Sequence, residues 1–203
     1  MDVLAFGPHP DDVEIGMGGT IAKHTSSGDK VLILTFSGLL NGNTDREFEL
    51  RSAAELLGAK IDFINIDIYD IRHSRDNVEI YDSIIKRHNP NIIYTPWRGD
   101  SHQDHKFMTD CVISATRKNR CSVCMYETTL PGGITTNRFN PQLYNNISLY
   151  ADLKIAALRE HRSQYDKFGE NWIEGIVGRM NFRGSQINTN AAEAFEIIKL
   201  IRN

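Results

Sequence analysis

The sequence VLAF at residues 3–6 runs directly into GPHPDDVEIGMGGT at residues 7–20. Consecutive apolar residues without polar alternation are typical of a strand that is buried on both faces, as in a parallel sheet. The chain then turns through polar residues and regains helical character, and we expect a helix near Gly19–Ser27. This segment therefore predicts a strand, a polar turn and a helix, which is the first unit of an α/β fold.

The same alternation of strands and helices continues along the chain. Thr44-Asp45-Arg46-Glu47 has the spacing of a capping box that opens a helix, and Gly58 can end that helix. The remaining predicted strands are Val31–Phe36, Phe63–Ile66, Ile92–Thr95 and Val123–Tyr126, and the other predicted helices lie near Asn77–His88, Asp104–Arg117 and Asp152–Tyr165. We expect a Rossmann-like, doubly wound α/β fold: a mainly parallel sheet with helices on both faces.

Length and composition restrict the classes of protein to which the chain can belong. Its 203 residues suit a single domain, 1–203, and no apolar stretch approaches the roughly 18 residues that a membrane span needs. A net charge of −3 without a basic stripe disfavours nucleic acid as a partner. No secretory signal is recognisable, so a cytoplasmic location with reduced cysteines is the expectation.

Two clusters of polar side chains follow the ends of predicted strands. His9-Pro10-Asp11-Asp12 comes after the first strand, and Asp100-Ser101-His102-Gln103-Asp104-His105 comes after the strand that ends near Pro96. Ligands of open α/β sheets bind beyond the carboxyl ends of the strands, where such loops meet. We expect the two clusters to face each other there.

The residue types in these clusters suit a catalytic metal. Two histidines and a carboxylate, for example His9, Asp12 and His105, fill three positions of a tetrahedral zinc site and leave the fourth open for water or substrate. Asp11 can then accept a proton from the attacking water. His102, oriented by Asp104, can stabilise an oxyanion and protonate a leaving amine.

A purely structural interpretation of the same residues is also available. Asp11 and Asp12 can cap the helix that follows, which is the commoner role of an Asp pair after a strand. His102 and His105 can be solvated loop residues. The residues alone leave both interpretations open.

The motifs resemble those of the LmbE-like, or PIG-L, family of zinc-dependent N-deacetylases. The segment 5–20 is similar to the amino-terminal signature of that family over its whole length, and 100–105 is similar to its second signature, with Gln103 where proline is frequent. Further similarity covers nearly the whole chain, at Arg51, Glu55, Lys154, Ala157, His161, Ser163, Gln164 and Glu193-Ala194-Phe195. Within the family, the first motif is most similar to bacterial deacetylases of N-acetylglucosaminyl-malate in bacillithiol synthesis.

The resemblance implies roles for individual residues. It makes His9, Asp12 and His105 the zinc ligands, Asp11 the general base, and His102 with Asp104 the pair that stabilises the oxyanion and assists the leaving amine. Ala191 stands where family members often have a tyrosine, so no tyrosine role is carried over.

The implied activity is the removal of the N-acetyl group from an N-acetylglucosamine derivative, a small acetylated amino sugar. Zn²⁺ is the expected cofactor, with Fe²⁺ or another divalent metal as an alternative. An amidase of a thiol conjugate, a deacetylase of an antibiotic sugar, and a non-catalytic Rossmann-like binding domain remain alternatives. A homo-oligomer is possible.

The sequence does not decide the roles of two further features, Arg51 and the stretch 130–149. Arg51 either binds substrate or pairs with Glu55 four residues later on the same helix face. The irregular stretch 130–149 is long for a connection inside a domain. It either contains a short strand near Leu143–Ile147 or borders the substrate site.

Overall fold

The computed structural model describes residues 1–37, 44–128 and 137–202, and within these ranges the chain forms one sheet covered by helices. The strands are β1 (Asp2–Phe6), β2 (Lys30–Phe36), β3 (Lys60–Ile64), β4 (Ile92–Pro96), β5 (Ser122–Tyr126), β6 (Leu143–Asn146) and β7 (Ala192–Lys199). The helices are α1 (Asp12–Ser26), α2 (Thr44–Leu56), α3 (Arg75–His88), α4 (Gln103–Thr116), α5 (Ala151–Glu160), α6 (Arg162–Phe168) and α7 (Glu170–Ser185). None of the described helices is long and apolar enough to cross a membrane.

The sheet has the strand order β3-β2-β1-β4-β5-β7-β6. The pairs among the first five strands in this order are parallel, and β7 runs antiparallel to both β5 and β6. The direction of winding reverses between β1 and β4, and the crevice at such a switch point is where open α/β sheets bind ligands.

Helices cover both faces of the sheet, as the unbroken apolar strands predict. In β1, Val3 and Ala5 pack with residues of α1 and α2 on one face, whereas Leu4 and Phe6 pack with α3 and α4 on the other. The side chains alternate because successive residues of a strand point to opposite faces. The predicted doubly wound, mainly parallel α/β fold is therefore confirmed.

Helix α1 begins earlier than the sequence suggested, because a first helical turn starts at Asp12. A kink at Met17 (φ −149°, ψ 22°) separates this turn from the rest of the helix. The predicted helix 152–165 is also divided, since His161 (φ −77°, ψ 63°) interrupts it between α5 and α6. The sequence predicted neither α7 nor β7.

The remaining expectations concern the ends of α2 and the long connection before β6. Gly58 follows α2 with φ 70°, as a helix-ending glycine does. Helix α2 begins at Thr44, but the side chain expected to cap it is not among those that the structure describes. The short strand expected near residue 143 is β6. The part of the connection at 129–136 is likewise outside the described residues.

Candidate active site

The two predicted polar clusters meet at the switch point, beyond the carboxyl ends of β1 and β4. They form what we call the floor of the site, a set of neighbouring side chains: His9, Asp11, Asp12, His102, Asp104 and His105. Most of the floor is buried, because β1 and β4 are central strands and α1 and α4 pack directly behind the loops. The sequence prediction that these residues come together holds for all of them.

Asp12 lies between the two histidines that the sequence pairs with it. One carboxylate oxygen is 3.0 Å from Nδ1 of His9 and the other is 3.2 Å from Nε2 of His105. Ligand atoms bound to one tetrahedral zinc ion lie about 3.3 Å apart, given metal–ligand distances near 2.0–2.1 Å. The three side chains thus fit a divalent metal at this spacing.

A third imidazole belongs to the same cluster. Nitrogen atoms of His9, His102 and His105 all lie within 4.8 Å of one another. His102 is the more exposed of the three, and its Nδ1 accepts the backbone N–H of Asp104 at 3.3 Å, which caps α4. An Nδ1 that accepts leaves Nε2 as the protonated nitrogen of the neutral ring. His102 can therefore offer a hydrogen-bond donor to a ligand in the cavity.

Asp104 contacts a different histidine from the one expected. Its Oδ2 is 3.2 Å from Nε2 of His9 but 3.9 Å from Nδ1 of His102, which is beyond hydrogen-bond range. The hydrogen bond from His9 holds the pKa of Asp104 below its usual value despite partial burial. In this arrangement Asp104 orients His9, while its backbone rather than its carboxylate contacts the ring of His102.

His105 has partners that the sequence analysis did not assign. Asp100 Oδ2 is 2.9 Å from its Nδ1, and the hydroxyl of Thr128 donates to the same oxygen at 3.0 Å. A carboxylate on the outer nitrogen of a ligating histidine fixes the orientation and raises the basicity of the ring. Asp100 belongs to the motif quoted above, so its spacing from His105 was a usable signal, whereas Thr128 had none.

The floor has strongly perturbed protonation equilibria. Burial alone would lower the pKa of both histidines, but the charge of Asp12 and nearby carboxylate hydrogen bonds raise it to about 9 for His9 and about 10 for His105. Burial opposes ionisation of Asp12, yet the charges of His105 and His9 hold its pKa well below the usual value. The floor therefore stabilises positive charge, whether on protonated histidine rings or on a bound cation.

Asp11 differs from Asp12 in backbone and environment. Its φ of 120° lies in a region that favours glycine, and for other residues such strain costs about 1–3 kcal/mol and is typical of functional sites. Asp11 occupies the N-cap position of α1, but its side chain makes no capping hydrogen bond. Burial raises the pKa of Asp11, and the charge of Asp12 raises it further. The capping role considered for Asp11 is therefore not observed.

The floor opens into a cavity of about 620 Å³, a volume typical of small-molecule sites. Apart from Pro10, the rest of its described lining, which we call the wall, comes from α1, α2, α6 and α7 and consists of Ile15, Arg46, Ser163, Gln164, Lys167, Phe168 and Trp172. Backbone and side-chain hydrogen bonds of 2.7 Å from Ser163 to Glu49 join α6 to α2. The wall is thus assembled from segments distant in sequence.

The arginine of α2 that lines the cavity is Arg46 and not Arg51. Arg46 donates to the carbonyl of Pro10 at 2.5 Å and lies 3.8 Å from a carboxylate oxygen of Asp11. Arg51 pairs with Glu47 at 2.6 Å, and not with Glu55 as expected, and it lies over the ring of Phe63, outside the cavity lining. The sequence carried a signal for Arg46, since it precedes the buried Leu50 by four residues on the same helix face.

Charged pairs are buried behind the site. Lys154 donates to Glu193 at 2.5 Å, and Glu193 also accepts the backbone N–H groups of Gly19 and Thr20. His161 and Glu14 are fully buried, with Nε2 and Oε1 3.7 Å apart. Lys154, His161 and Glu193 carried part of the family resemblance, and they lie in this inner layer.

Comparison with known proteins decides the family. The PIG-L family, described as GlcNAc-PI de-N-acetylase, matches residues 4–116, which include both halves of the floor. The chain belongs to the PIG-L family. This confirms the resemblance drawn from the sequence motifs, and with it the prediction of a deacetylase family of N-acetylglucosamine-type substrates.

Individual members of the family are similar over most of the chain. An uncharacterized deacetylase of Escherichia coli is 31% identical, covering 79% of this chain and 90% of the relative. A probable N-acetyl-α-D-glucosaminyl L-malate deacetylase of Bacillus cereus is 30% identical, covering 83% and 86%. The solved N,N′-diacetylchitobiose deacetylase of Pyrococcus horikoshii superposes with a TM-score of 0.81 at 26% identity, covering 98% and 84%.

Proposed function

We propose that this protein is a metal-dependent hydrolase that removes the N-acetyl group from an N-acetylglucosamine derivative. Its products are acetate and a free amino sugar. The observation that carries the proposal is the position of Asp12 between His9 and His105, beside the strained and buried Asp11. Membership of the PIG-L family and the activities in its members' names support it.

We assign the metal to His9, Asp12 and His105, with Zn²⁺ as the first candidate and Fe²⁺ as an alternative. A bound zinc ion supplies Lewis acidity and makes water a stronger nucleophile at neutral pH. Asp100 holds His105 in the orientation that this role requires, through the hydrogen bond to its outer nitrogen.

Asp11 is the general base of the proposed reaction. The oxygen of water adds to the acetyl carbonyl carbon while Asp11 accepts the proton of that water. Because burial raises the pKa of Asp11, its carboxylate is a stronger base than an exposed aspartate. When the C–N bond breaks, the proton is delivered to the sugar nitrogen, which leaves as an amine.

His102 stabilises the charge that develops on the carbonyl oxygen. Its backbone-bound Nδ1 fixes the ring so that Nε2 carries the proton available for donation. Burial and the nearby charges of His9 and His105 lower the pKa of His102, which favours the neutral, donating ring. The carboxylate of Asp104 orients the neighbouring His9 through its contact with Nε2 of that ring.

The test combines metal analysis with acetate release. Gently purified protein is analysed for metals by mass spectrometry, then assayed on N-acetylglucosaminyl-malate and on N,N′-diacetylchitobiose before chelation, after chelation and after each metal is restored. We expect near-stoichiometric metal and acetate release that chelation abolishes and metal restores. Protein that takes up no metal, or metal-loaded protein that releases no acetate from any acetylated amino sugar, would falsify the proposal.

A further inference from the structure

The kink in α1 separates the first turn of this helix from its remainder, and side chains of α5, α7 and β7 bind both sides of it. We propose that Lys154 and Arg179 are positioning residues for the reaction, because they hold the turn that places Asp11 and Asp12 in the floor. They act through the backbone of Ile15. The inference rests on the proposed function, in which Asp11 is the base and Asp12 a metal ligand.

On the amino-terminal side of the kink, two cations share one backbone carbonyl. Nζ of Lys154 donates to the oxygen of Ile15 at 2.8 Å, and Nη2 of Arg179 donates to the same oxygen at 3.0 Å. In an unbroken α-helix this carbonyl would accept the N–H of Gly19, four residues later. Cations at the carboxyl end of a helical turn also match the negative end of its dipole. Side chains of α5 and α7 thus close the first turn of α1.

On the carboxyl-terminal side of the kink, the contact is made by an acidic side chain. The N–H groups of Gly19 and Thr20 donate to the two carboxylate oxygens of Glu193, at 3.0 and 2.6 Å. A carboxylate at the start of a helix satisfies amide groups that have no helical partner there. Lys154 donates to Glu193 as well, so a single ion pair binds both sides of the kink. These contacts fix the two parts of α1 relative to each other.

The first turn of α1 connects the two cations to the proposed base. The N–H of Ile15 donates to the carbonyl of Asp11 at 2.9 Å, while the carbonyl of Ile15 accepts from both cations. Asp11 has a φ of 120° and makes no capping hydrogen bond, and strain of this kind persists only where surrounding contacts hold it. Loss of the bonds to Ile15 would let the turn relax and would move the carboxylates of Asp11 and Asp12.

The position of Lys154 is better explained by this role than by stability. Its side chain is only 2% exposed, and a Cβ added at Gly18 would lie 3.3 Å from its Cγ, so the lysine packs closely against the kink. A buried ion pair contributes little stability compared with well-packed apolar side chains of the same volume. Apolar side chains, however, cannot donate a hydrogen bond to the carbonyl of Ile15. A directed bond to the backbone requires a donor at this place.

The test uses three variants and a matched control. Lys154→Met removes the lysine from the kink. Arg179→Met removes the half-buried arginine and leaves the ion pair of Lys154 intact, whereas Arg179→Lys keeps a cation that can donate to the carbonyl. The control is Lys199→Met, because Lys199 also donates to two backbone carbonyls, at 2.9 and 2.7 Å, at the end of α4 opposite to the floor.

Four properties are measured on each variant. Zinc affinity is obtained by competition with a chelator, and the visible absorption spectrum of cobalt-loaded protein reports the geometry of the metal ligands. Steady-state acetate release from N-acetylglucosaminyl-malate and from N,N′-diacetylchitobiose gives kcat and KM. Unfolding in urea gives the stability of the fold.

We expect Lys154→Met to lower zinc affinity and kcat about 10- to 100-fold each, as displacement of a ligand and a base by a fraction of an ångström does. Arg179→Met should lower both about 2- to 12-fold, the effect of one hydrogen bond, and Arg179→Lys should restore most of the loss. The cobalt spectrum should shift in both Met variants, while KM stays nearly constant. Lys199→Met should change only the stability of the fold.

A purely structural role would give a different result. Variants that unfold more readily, but keep the zinc affinity, the cobalt spectrum and the kcat of the unaltered protein, would overturn the positioning role and leave deacetylation intact. If Lys154→Met does not fold, Arg179→Met and Arg179→Lys decide by the same criteria. Metal-loaded protein that releases no acetate, but whose zinc affinity and cobalt spectrum respond to both cations, would overturn deacetylation and support the positioning of the metal site. Unaltered protein that takes up no metal overturns both.

Discussion

The floor and the wall of the cavity are built in different ways. The floor consists of mostly buried, ionisable side chains from two short segments, and most of them make hydrogen bonds of 2.8–3.3 Å to one another, to the backbone or to Asp100. The wall draws on four helices, contains apolar as well as polar side chains, and includes Lys167 without an acidic partner among the described residues. The floor is organised before a ligand arrives, as electrostatic catalysis requires. The wall contains no residue to which a step of the reaction is assigned.

The largest effect should follow from removing the proposed base from the floor. Asp11→Asn keeps the size of the side chain and removes its ability to accept a proton, so kcat should fall about 10²- to 10⁴-fold. Zinc content by mass spectrometry and substrate affinity by calorimetry should change little. Asp76→Asn, on the exposed face of α3, serves as the control. Normal turnover by zinc-loaded Asp11→Asn protein would exclude Asp11 as the base.

The affinity of the floor for zinc should rise steeply with pH. The pKa values of about 9 for His9 and about 10 for His105 lie above the ordinary value of 6.5, so both rings hold protons in metal-free protein between pH 6 and 8. A metal must displace these protons, and each proton displaced raises the affinity about tenfold per pH unit. The expected gain is therefore up to about 100-fold per unit.

This dependence is measurable by competition with a chelator of known pH behaviour, together with calorimetry in buffers of different ionisation enthalpy. Proton release approaching two per zinc at pH 7 is the expected result if both histidines ligate. A zinc affinity that is constant between pH 6 and 8 would contradict the assignment of both rings as protonated ligands.

A smaller effect on the floor should follow from changing the outer partner of His105. Asp100→Asn keeps the shape and removes the charge, and the loss of such a carboxylate lowers metal affinity about 10- to 100-fold. Saturating zinc should restore most of the activity, because the direct ligands remain. The control is Asp110→Asn on α4, which breaks the ion pair between Asp110 and the exposed Arg98. Unaltered zinc affinity in Asp100→Asn would show that the hydrogen bond to His105 has no influence on the metal.

The smallest effect should come from the wall. Gln164 lines the cavity, and a hydrogen bond from its amide to the sugar would contribute about 0.5–1.5 kcal/mol, so KM should rise about 2- to 12-fold in Gln164→Ala. The value of kcat should stay within about a factor of two, since the floor is untouched. Steady-state kinetics separates the two constants, with Gln142→Ala at the edge of the sheet as the control. A large fall in kcat without a change in KM would mean that the wall takes part in the chemistry.

The sequence predicted the floor because its residues lie in two short segments of the chain. Each of the two segments follows a strand directly, and the parallel sheet brings the strand ends together whatever the rest of the chain does. Asp100 lay within the quoted motif, but its place behind His105 depends on how the loop folds. The connection between Asp104 and His9 was not predictable from spacing, because it joins residues from both segments.

The wall was largely beyond sequence reasoning, for physical reasons. The spacing of Arg46 from Leu50 was a signal that both lie on one helix face, but it does not show that this face meets the cavity. Five residues along a helix turn a side chain by more than a third of a circle, so Arg46 and Arg51 lie on different faces. The break at His161, which allows α6 to leave the direction of α5, has no strong local signal such as proline or glycine. Trp172 enters the wall only through the packing of α7, which the sequence analysis did not predict.

Glu193 of β7 connects two helices, because it contacts Lys154 of α5 and the backbone of α1. Glu193 binds both the lysine and the backbone of α1, the helix that carries Asp12 at its first turn. During synthesis β1, α1 and α5 are made before Glu193. Lys154 therefore cannot form its ion pair with Glu193 until β7 has been made. The order of synthesis thus makes Glu193 available only after both segments of the floor have been made.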